Sequence, residues 1–505
     1  MYLLILLNQT IIRSLKNILL KNSENQFLDV IILGAGISGI GAACHLSRNC
    51  PNKSFLILEG RNNLGGTWDL FKYPGIRSDS DMHTFSYKFN PWTNKNTISD
   101  GKTILKYLNE TSSKFDLDKK IKYNHWVNEI CWNSTKNEWT VVGIDRHKNK
   151  SIKYNCRFLM SCTGYYDYDS GYTPKFKGIE NYRGNFIHPQ KWTEDIDYSN
   201  KNVIVIGSGA TAITLIPSLS KKAKHVTMLQ RSPTYLMNLP KKDKFTNFLF
   251  RFIPSKIAHT ISRWKYILRQ IYFYQISKRR PKEVKAFIKN EIKQVLPKDF
   301  DIETHFNPKY NPWDERVCVV VDNDLFDCIR QEKCSVITDQ IKCFKENSIL
   351  LESGKELKAD LVISATGLNL KFMGGIKIKI DDKTIDTSKL VSYKGMMLQN
   401  IPNTTIVFGY TNASWTLKID LVCEYFCRII NHMDKNNFKS FVTEINDENL
   451  ETEPSIGLNS GYVRRASKIL PKQGKKYPWK LNQNYIKDMY LLRFKKIEDG
   501  YINFK

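Results

Sequence analysis

Apolar residues fall along this chain in a pattern that occurs twice. Val30-Ile31-Ile32-Leu33 runs without a polar interruption, as a strand covered on both faces does, and a glycine turn then leads into a helix-like stretch, Ile40 to Leu46. A second apolar run, Phe55-Leu56-Ile57-Leu58, follows it. The same order returns at Val203-Ile204-Val205-Ile206, a helix reaching roughly Ser220, and Val226 to Leu229. Strand, turn, helix and strand read twice predict an α/β chain with two Rossmann-like, doubly wound sheets. Trp126 to Val142, rich in aromatic and β-branched residues, predicts antiparallel strands added to the first of them. Two short strands end in similar turns, Phe158 to Gly164 and Leu361 to Gly367. They are expected to be the hinges where the chain leaves the first domain (27–165 and 365–505) and returns to it. The second domain, 166–364, would then be inserted in the first and carry a helical insertion at about 241–300.

Both glycine turns carry chemistry. The first reads Gly34-Ala35-Gly36-Ile37-Ser38-Gly39, and the strand after its helix ends on Glu59. A carboxylate there accepts hydrogen bonds from a ribose diol and repels a 2′-phosphate, so this turn suits FAD or NAD. The second reads Gly207-Ser208-Gly209-Ala210-Thr211-Ala212, and its following strand runs into Gln230-Arg231. A guanidinium in the place of the carboxylate can grip a phosphate with two hydrogen bonds, so this turn suits NADP(H).

Composition narrows the class. With 505 residues, 41% hydrophobic and 12% aromatic, the chain is globular and long enough for two or three domains. Its eleven cysteines show no C-x-x-C and no metal-ligand spacing, which speaks against a disulfide framework or a metal site and for a reducing cytoplasm. The net charge of +27 is spread throughout and focused by no nucleic-acid-binding motif. Between 241 and 293, however, basic residues far outnumber acids and alternate with aromatics, as in Arg263-Trp264-Lys265-Tyr266. Such a helix pair could rest peripherally on a membrane, or pack its aromatics on its own domain. Residues 1–26 are apolar and basic without a signal-peptide cleavage pattern; they read as an amphipathic surface helix or as the product of an upstream start codon.

Longer segments resemble the class B flavoprotein monooxygenases, which include Baeyer–Villiger and flavin-containing monooxygenases. Gly65-Gly66-Thr67-Trp68 and Tyr73 to Asp79 look like the family's flavin-proximal segment. Tyr182 to Thr193 is similar to the signature F-x-G-x-x-x-H-x-x-x-W-[PD]: Gly184, His188 and Trp192 stand, while Tyr182 and Thr193 depart. Met228 to Tyr235, Asn311 to Arg316 and Asn412 to Lys418 look like the ethionamide-activating subgroup.

The resemblance implies FAD held by Gly34, Gly36, Ser38, Gly39, Glu59, Thr67, Trp68, Asp79 and Val127, and NADPH held by Gly207, Ser208, Gly209, Ala210, Thr211 and Arg231. It implies that a C4a-peroxyflavin inserts one oxygen atom of O2 into small apolar ketones, or oxygenates sulfides and thioamides. Arg316 would be the cation beside the peroxide, oriented by Asp79. Glu315 stands where many relatives have a lysine that helps hold the 2′-phosphate, which leaves that task to Arg231, with Lys221 or Lys222 as helpers. His188 and Trp192 are expected to hold a connection between domains. Trp415 is expected to wall the substrate pocket or to sit in the core. The alternative within the family is oxygenation of nitrogen or sulfur nucleophiles without Baeyer–Villiger activity. A disulfide reductase would need a cysteine pair that the first nucleotide unit lacks, and a non-catalytic, membrane-associated nucleotide binder would purify without colour.

Overall fold

The computed structural model describes residues 27–447 and 449–505; the N-terminal stretch lies outside them. The strand Phe27–Leu33 is the centre of the first sheet, flanked in parallel by Phe55–Leu58 and by the end of Lys150–Ser161. Its uninterrupted apolar run has a direct cause. Val30 and Ile32 point into a core shared with the helices, while Ile31 and Leu33 point into a second core on the other face, with Trp132 and Trp139. The expected antiparallel strands are His125–Asn133 and Glu138–Asp145. The long strand Lys150–Ser161 divides its outer edge between Glu138–Asp145 and the returning strand Thr404–Ile406.

The second sheet is parallel throughout, in the spatial order Cys334–Thr338, His225–Gln230, Asn202–Ile206, Leu361–Ser364, Asn185–Ile187. Here too one apolar strand serves two cores, Val203 and Val205 on one face, Ile204 and Ile206 on the other. The first sheet takes strands from both ends of the described chain and the second from the middle, so the second unit is inserted in the first. Beyond the expected hinge turns, Tyr166–Gly171 and Leu368–Leu370 pair antiparallel where the chain crosses between the units.

The helical insertion holds Lys244–Phe252, Ser255–Arg279, Pro281–Val295 and Ile302–Phe306, more than the expected pair. Chain order would assign all of it to the second unit, but packing divides it. Ile288 and Ile292 join the second sheet's core, whereas Ile267 joins the first. Arg263 fixes this attachment. Its buried guanidinium donates to the carbonyls of His83 (2.9 Å) and Ser86 (2.8 Å) and to Asp420 (3.1 Å), on the helix Trp415–Lys435. Asp420 also pairs with His45 at 3.0 Å. Burial alone would raise the Asp420 carboxyl, but the His45 hydrogen bond and the charges of His45 and Arg263 outweigh it and hold it below the usual range. Tyr266 packs on its own domain, as one of the two alternatives expects, while Trp264 and Tyr272 are exposed.

Candidate active site

The first glycine turn forms a cradle at the carboxyl ends of its strands. Gly34 has φ +99°, and a Cβ on Gly39 would lie 1.8 Å from the Gly34 carbonyl oxygen, so the turn closes onto the helix Ile37–Asn49 only with glycine at both places. No side chain caps that helix, which leaves its first N–H groups for an anionic ligand. Glu59 accepts from the backbone N–H of Ala35 (2.7 Å) and of Arg61 (2.9 Å), which ties the turn to the end of the next strand. Burial pushes its carboxyl above the usual range despite these two bonds.

A cavity of about 260 Å³ opens here, lined by Gly34, Gly36, Ser38, Glu59, Thr67, Trp68 and Val127. These expected residues therefore converge, with Gly39 buried in the helix behind them, whereas Asp79, expected with them, lines a second cavity instead. A phosphate-sized cradle and a carboxylate at the strand end are what a flavin dinucleotide requires. Trp415 also lines this cavity, donating to Ser38 Oγ at 3.1 Å and stacking on Tyr165 at 5.4 Å, and is absent from the lining of the second cavity.

The second turn repeats the construction. Gly207 has φ +134°, and a Cβ there would lie 2.3 Å from the Ala365 carbonyl oxygen. Ser208 Oγ donates to the carbonyl of Ser232 at 3.0 Å, joining the turn to the segment that carries Arg231. Gly209, Ala210 and Thr211 open the helix Ala210–Leu219, again without a side-chain cap. Arg231 is exposed at the end of its strand. Lys221 and Lys222 cannot assist it, because they follow the far end of that helix, roughly 15 Å from the turn at 1.5 Å per residue. Arg464 joins Arg231 beside Glu315. Burial raises the Glu315 carboxyl, while Arg464 and Arg231 beside it act in the opposite direction.

Arg316 and Asp79 meet at a second cavity, of about 350 Å³, walled by Leu236, Met237, Phe273, Ile288, Val295 and Phe326. Arg316 is not hydrogen-bonded to Asp79, contrary to expectation. Its Nε donates to Tyr462 Oη at 2.9 Å and its Nη2 to Tyr165 Oη at 3.4 Å. Tyr462 first, then Tyr165 and Tyr166, favour its charged form, against the opposing pull of burial. Tyr165 lines the first cavity, so the guanidinium sits on the seam between the two. Burial lifts the Asp79 carboxyl to about 6, and the charges of Arg77 and Arg316 offset only part of that rise. Arg77 is itself paired with Asp324.

His188 stands on the crossing. Its Nε2 pairs with the Gly367 carbonyl at 3.0 Å, and Nδ1 accepts from the backbone N–H of Gln190 at 3.2 Å, which fixes the proton on Nε2. Trp192 is buried in the second unit's core. Neither residue lines the two cavities. Sequence reasoning missed Tyr462 and Arg464, which sit on the short helix Gly461–Ala466 where no motif marks them.

A model of the flavin-binding monooxygenase-like family matches residues 28–455. The chain belongs to this family. Among similar flavin-binding monooxygenases, the FAD-containing monooxygenase EthA of Mycobacterium tuberculosis is 49% identical over 480 residues, covering 95% of this chain and 98% of the relative. A probable FAD-binding monooxygenase, AlmA of Acinetobacter baylyi, is 46% identical over 94% of this chain and 96% of its own length. The fold of this monooxygenase is shared with an oxidised steroid monooxygenase bound to NADP (TM-score 0.68, 21% identity, 83% of this chain, 88% of that one). It is shared also with cyclohexanone monooxygenase (TM-score 0.67, 19% identity, 83% and 87%).

Proposed function

We propose that this monooxygenase binds FAD in the first cradle and NADPH at the second, and transfers one oxygen atom of O2 to small apolar ketones, sulfides or thioamides. The observation that carries the reading is Arg316, a fixed cation at the seam between the dinucleotide cavity and a second, mostly apolar one. When bound, FAD supplies the redox chemistry, accepting hydride from NADPH and activating dioxygen. The protein's tasks are to bind, to orient and to exclude water.

Glu59 would accept the FAD ribose hydroxyls, and Arg231, with Arg464 beside Glu315, would face the 2′-phosphate. Arg316 would stabilise negative charge developing on oxygen without having to reorient, because two tyrosine hydroxyls already hold it. Asp79, ionised above about pH 6, would add a carboxylate next to Arg77 and Arg316. Apolar walls keep water from the reacting oxygen. The reading includes peripheral membrane contact, since apolar substrates collect in bilayers.

The test is NADPH oxidation and O2 uptake by the FAD-loaded protein with ketones and sulfides, with product analysis. Esters or lactones support ketone insertion, and sulfoxides alone support the nitrogen- and sulfur-oxygenating alternative. Flavin reduction without any oxygenated product overturns the proposal.

A further inference from the structure

Three helices turn apolar rows toward solvent on one side of the molecule. On Ser255–Arg279, Ile257, Ile261, Trp264, Leu268 and Tyr272 are all exposed, and at 3.6 residues per turn they fall within an arc of about 80°. The opposite face of that helix is buried, with Arg263 and Ile267 in it, so the outward row is not needed for folding. Lys244–Phe252 shows Phe245, Phe248 and Phe252, the last 63% exposed. At the C-terminal end of the chain, Ile486, Tyr490 and Phe494 recur every fourth residue, Phe494 at 71%.

The rows adjoin. Lys265 reaches the Phe245 ring at 4.9 Å, and Trp264 meets Tyr485 edge-on at 6.2 Å.

Charge around the rows is predominantly basic. Lys244, Arg251, Lys256, Lys487, Lys495 and Lys496 are exposed, whereas Asp243 and Asp488 are turned inward and neutralised by Lys265 and Lys418. Between 241 and 293 there are fifteen lysines and arginines against three acids. The same helix leads inward to the substrate cavity. Arg269 and Phe273, beside Leu268 and Tyr272, line the cavity of about 350 Å³, as does Phe287, which is itself 55% exposed.

We propose that these three faces form one docking surface for an anionic lipid bilayer, placing the mouth of the substrate cavity at the hydrocarbon boundary. Among the described residues no helix is long and apolar enough to cross a membrane, so the aromatic rows enter the interface while the lysines meet lipid phosphates. The docking surface deepens the peripheral membrane contact included in the proposed function, and delivery of substrate from the bilayer rests on that reading.

The test is flotation of the FAD-loaded protein with vesicles of phosphatidylcholine alone and of phosphatidylcholine mixed with phosphatidylglycerol, beside turnover of a short, water-soluble ketone. The probe variant is F248E/L268E/F494E, which touches neither cavity. Wild type is expected to bind the anionic vesicles about tenfold or more tightly than the neutral ones, and the variant to lose that binding with soluble-ketone turnover unchanged. The proposal fails if wild type does not float, if the variant floats equally well, or if the faces hold a second copy, seen as a dimer that the variant dissociates while no vesicle binding occurs. Floating protein that turns over no soluble ketone counts against the ketone-insertion reading and leaves docking standing.

Discussion

Replacing Asp79 by Asn should make the protein more stable and less active. The Asp79 carboxyl ionises at about 6 in the fold against an ordinary 3.8, because burial disfavours its charge more than Arg77 and Arg316 favour it. Between those two values the folded state holds a proton that the unfolded chain has lost, so stability declines as pH rises through this window and stays at its lower level above it. At about 1.36 kcal/mol per unit the full gap is about 3 kcal/mol, and water in the adjoining cavity reduces it to roughly 2–3 kcal/mol. Asn matches the protonated acid in shape and never ionises. Urea unfolding of the two FAD-loaded proteins should therefore diverge between about pH 4 and pH 6 and remain apart by that amount at pH 8, the variant being the more stable. Turnover of wild type should fall on acidification through about pH 6, while the variant stays low and flat. Equal midpoints at pH 8, or a less stable variant, would show that the arginines fully compensate the buried charge, and the argument would be wrong.

Other substitutions separate the remaining roles. Arg316→Ala should lower product formation about 10²- to 10³-fold while NADPH still reduces the flavin, and Tyr462→Phe should cost less; stopped-flow reduction with product analysis distinguishes the two steps. Arg231→Ala should raise KM for NADPH roughly 10- to 100-fold and leave NADH unchanged, whereas Glu315→Lys should sharpen the preference for NADPH. Gly39→Ala should abolish FAD retention, visible as loss of flavin absorbance on gel filtration, because a Cβ would lie 1.8 Å from the Gly34 carbonyl oxygen. Arg263→Met should destabilise the protein by about 3–5 kcal/mol in urea unfolding, because buried Asp420 loses a charge partner and the His83 and Ser86 carbonyls lose their donor.

Both dinucleotide cradles were legible in the sequence because a buried parallel strand followed by a glycine turn is a local pattern whose chemistry depends on a few adjacent residues. Glu59 and Arg231 stand at the strand ends for the same reason. The surroundings of Arg316 were not legible. Tyr462 lies 146 residues further along the chain, and only the tertiary fold brings its hydroxyl to the guanidinium. Arg464 reaches Glu315 from the same unmarked helix, while Lys221 and Lys222, near Arg231 in sequence, lie beyond the wrong end of theirs. The resemblance pointed to Asp79 as the group that orients Arg316; it stands near the guanidinium without a hydrogen bond to it, and two tyrosine hydroxyls from distant parts of the chain make those bonds instead. The outward aromatic rows were visible only as composition, since burial decides which side of a helix meets solvent.

The Arg263–Asp420 bond bears on how such enzymes can be recombined. A chimaera cut at the ends of the second unit, as chain order suggests, would import a foreign Ser255–Arg279 helix and face Asp420 with whatever residue its donor carries. Loss of that cation would leave the buried Asp420 carboxylate with His45 as its remaining charge partner in the interior. Functional crossovers should therefore either exchange Arg263 and Asp420 together or leave the helix with its original host, so a breakpoint map of viable hybrids would follow this contact more closely than the sheet boundaries.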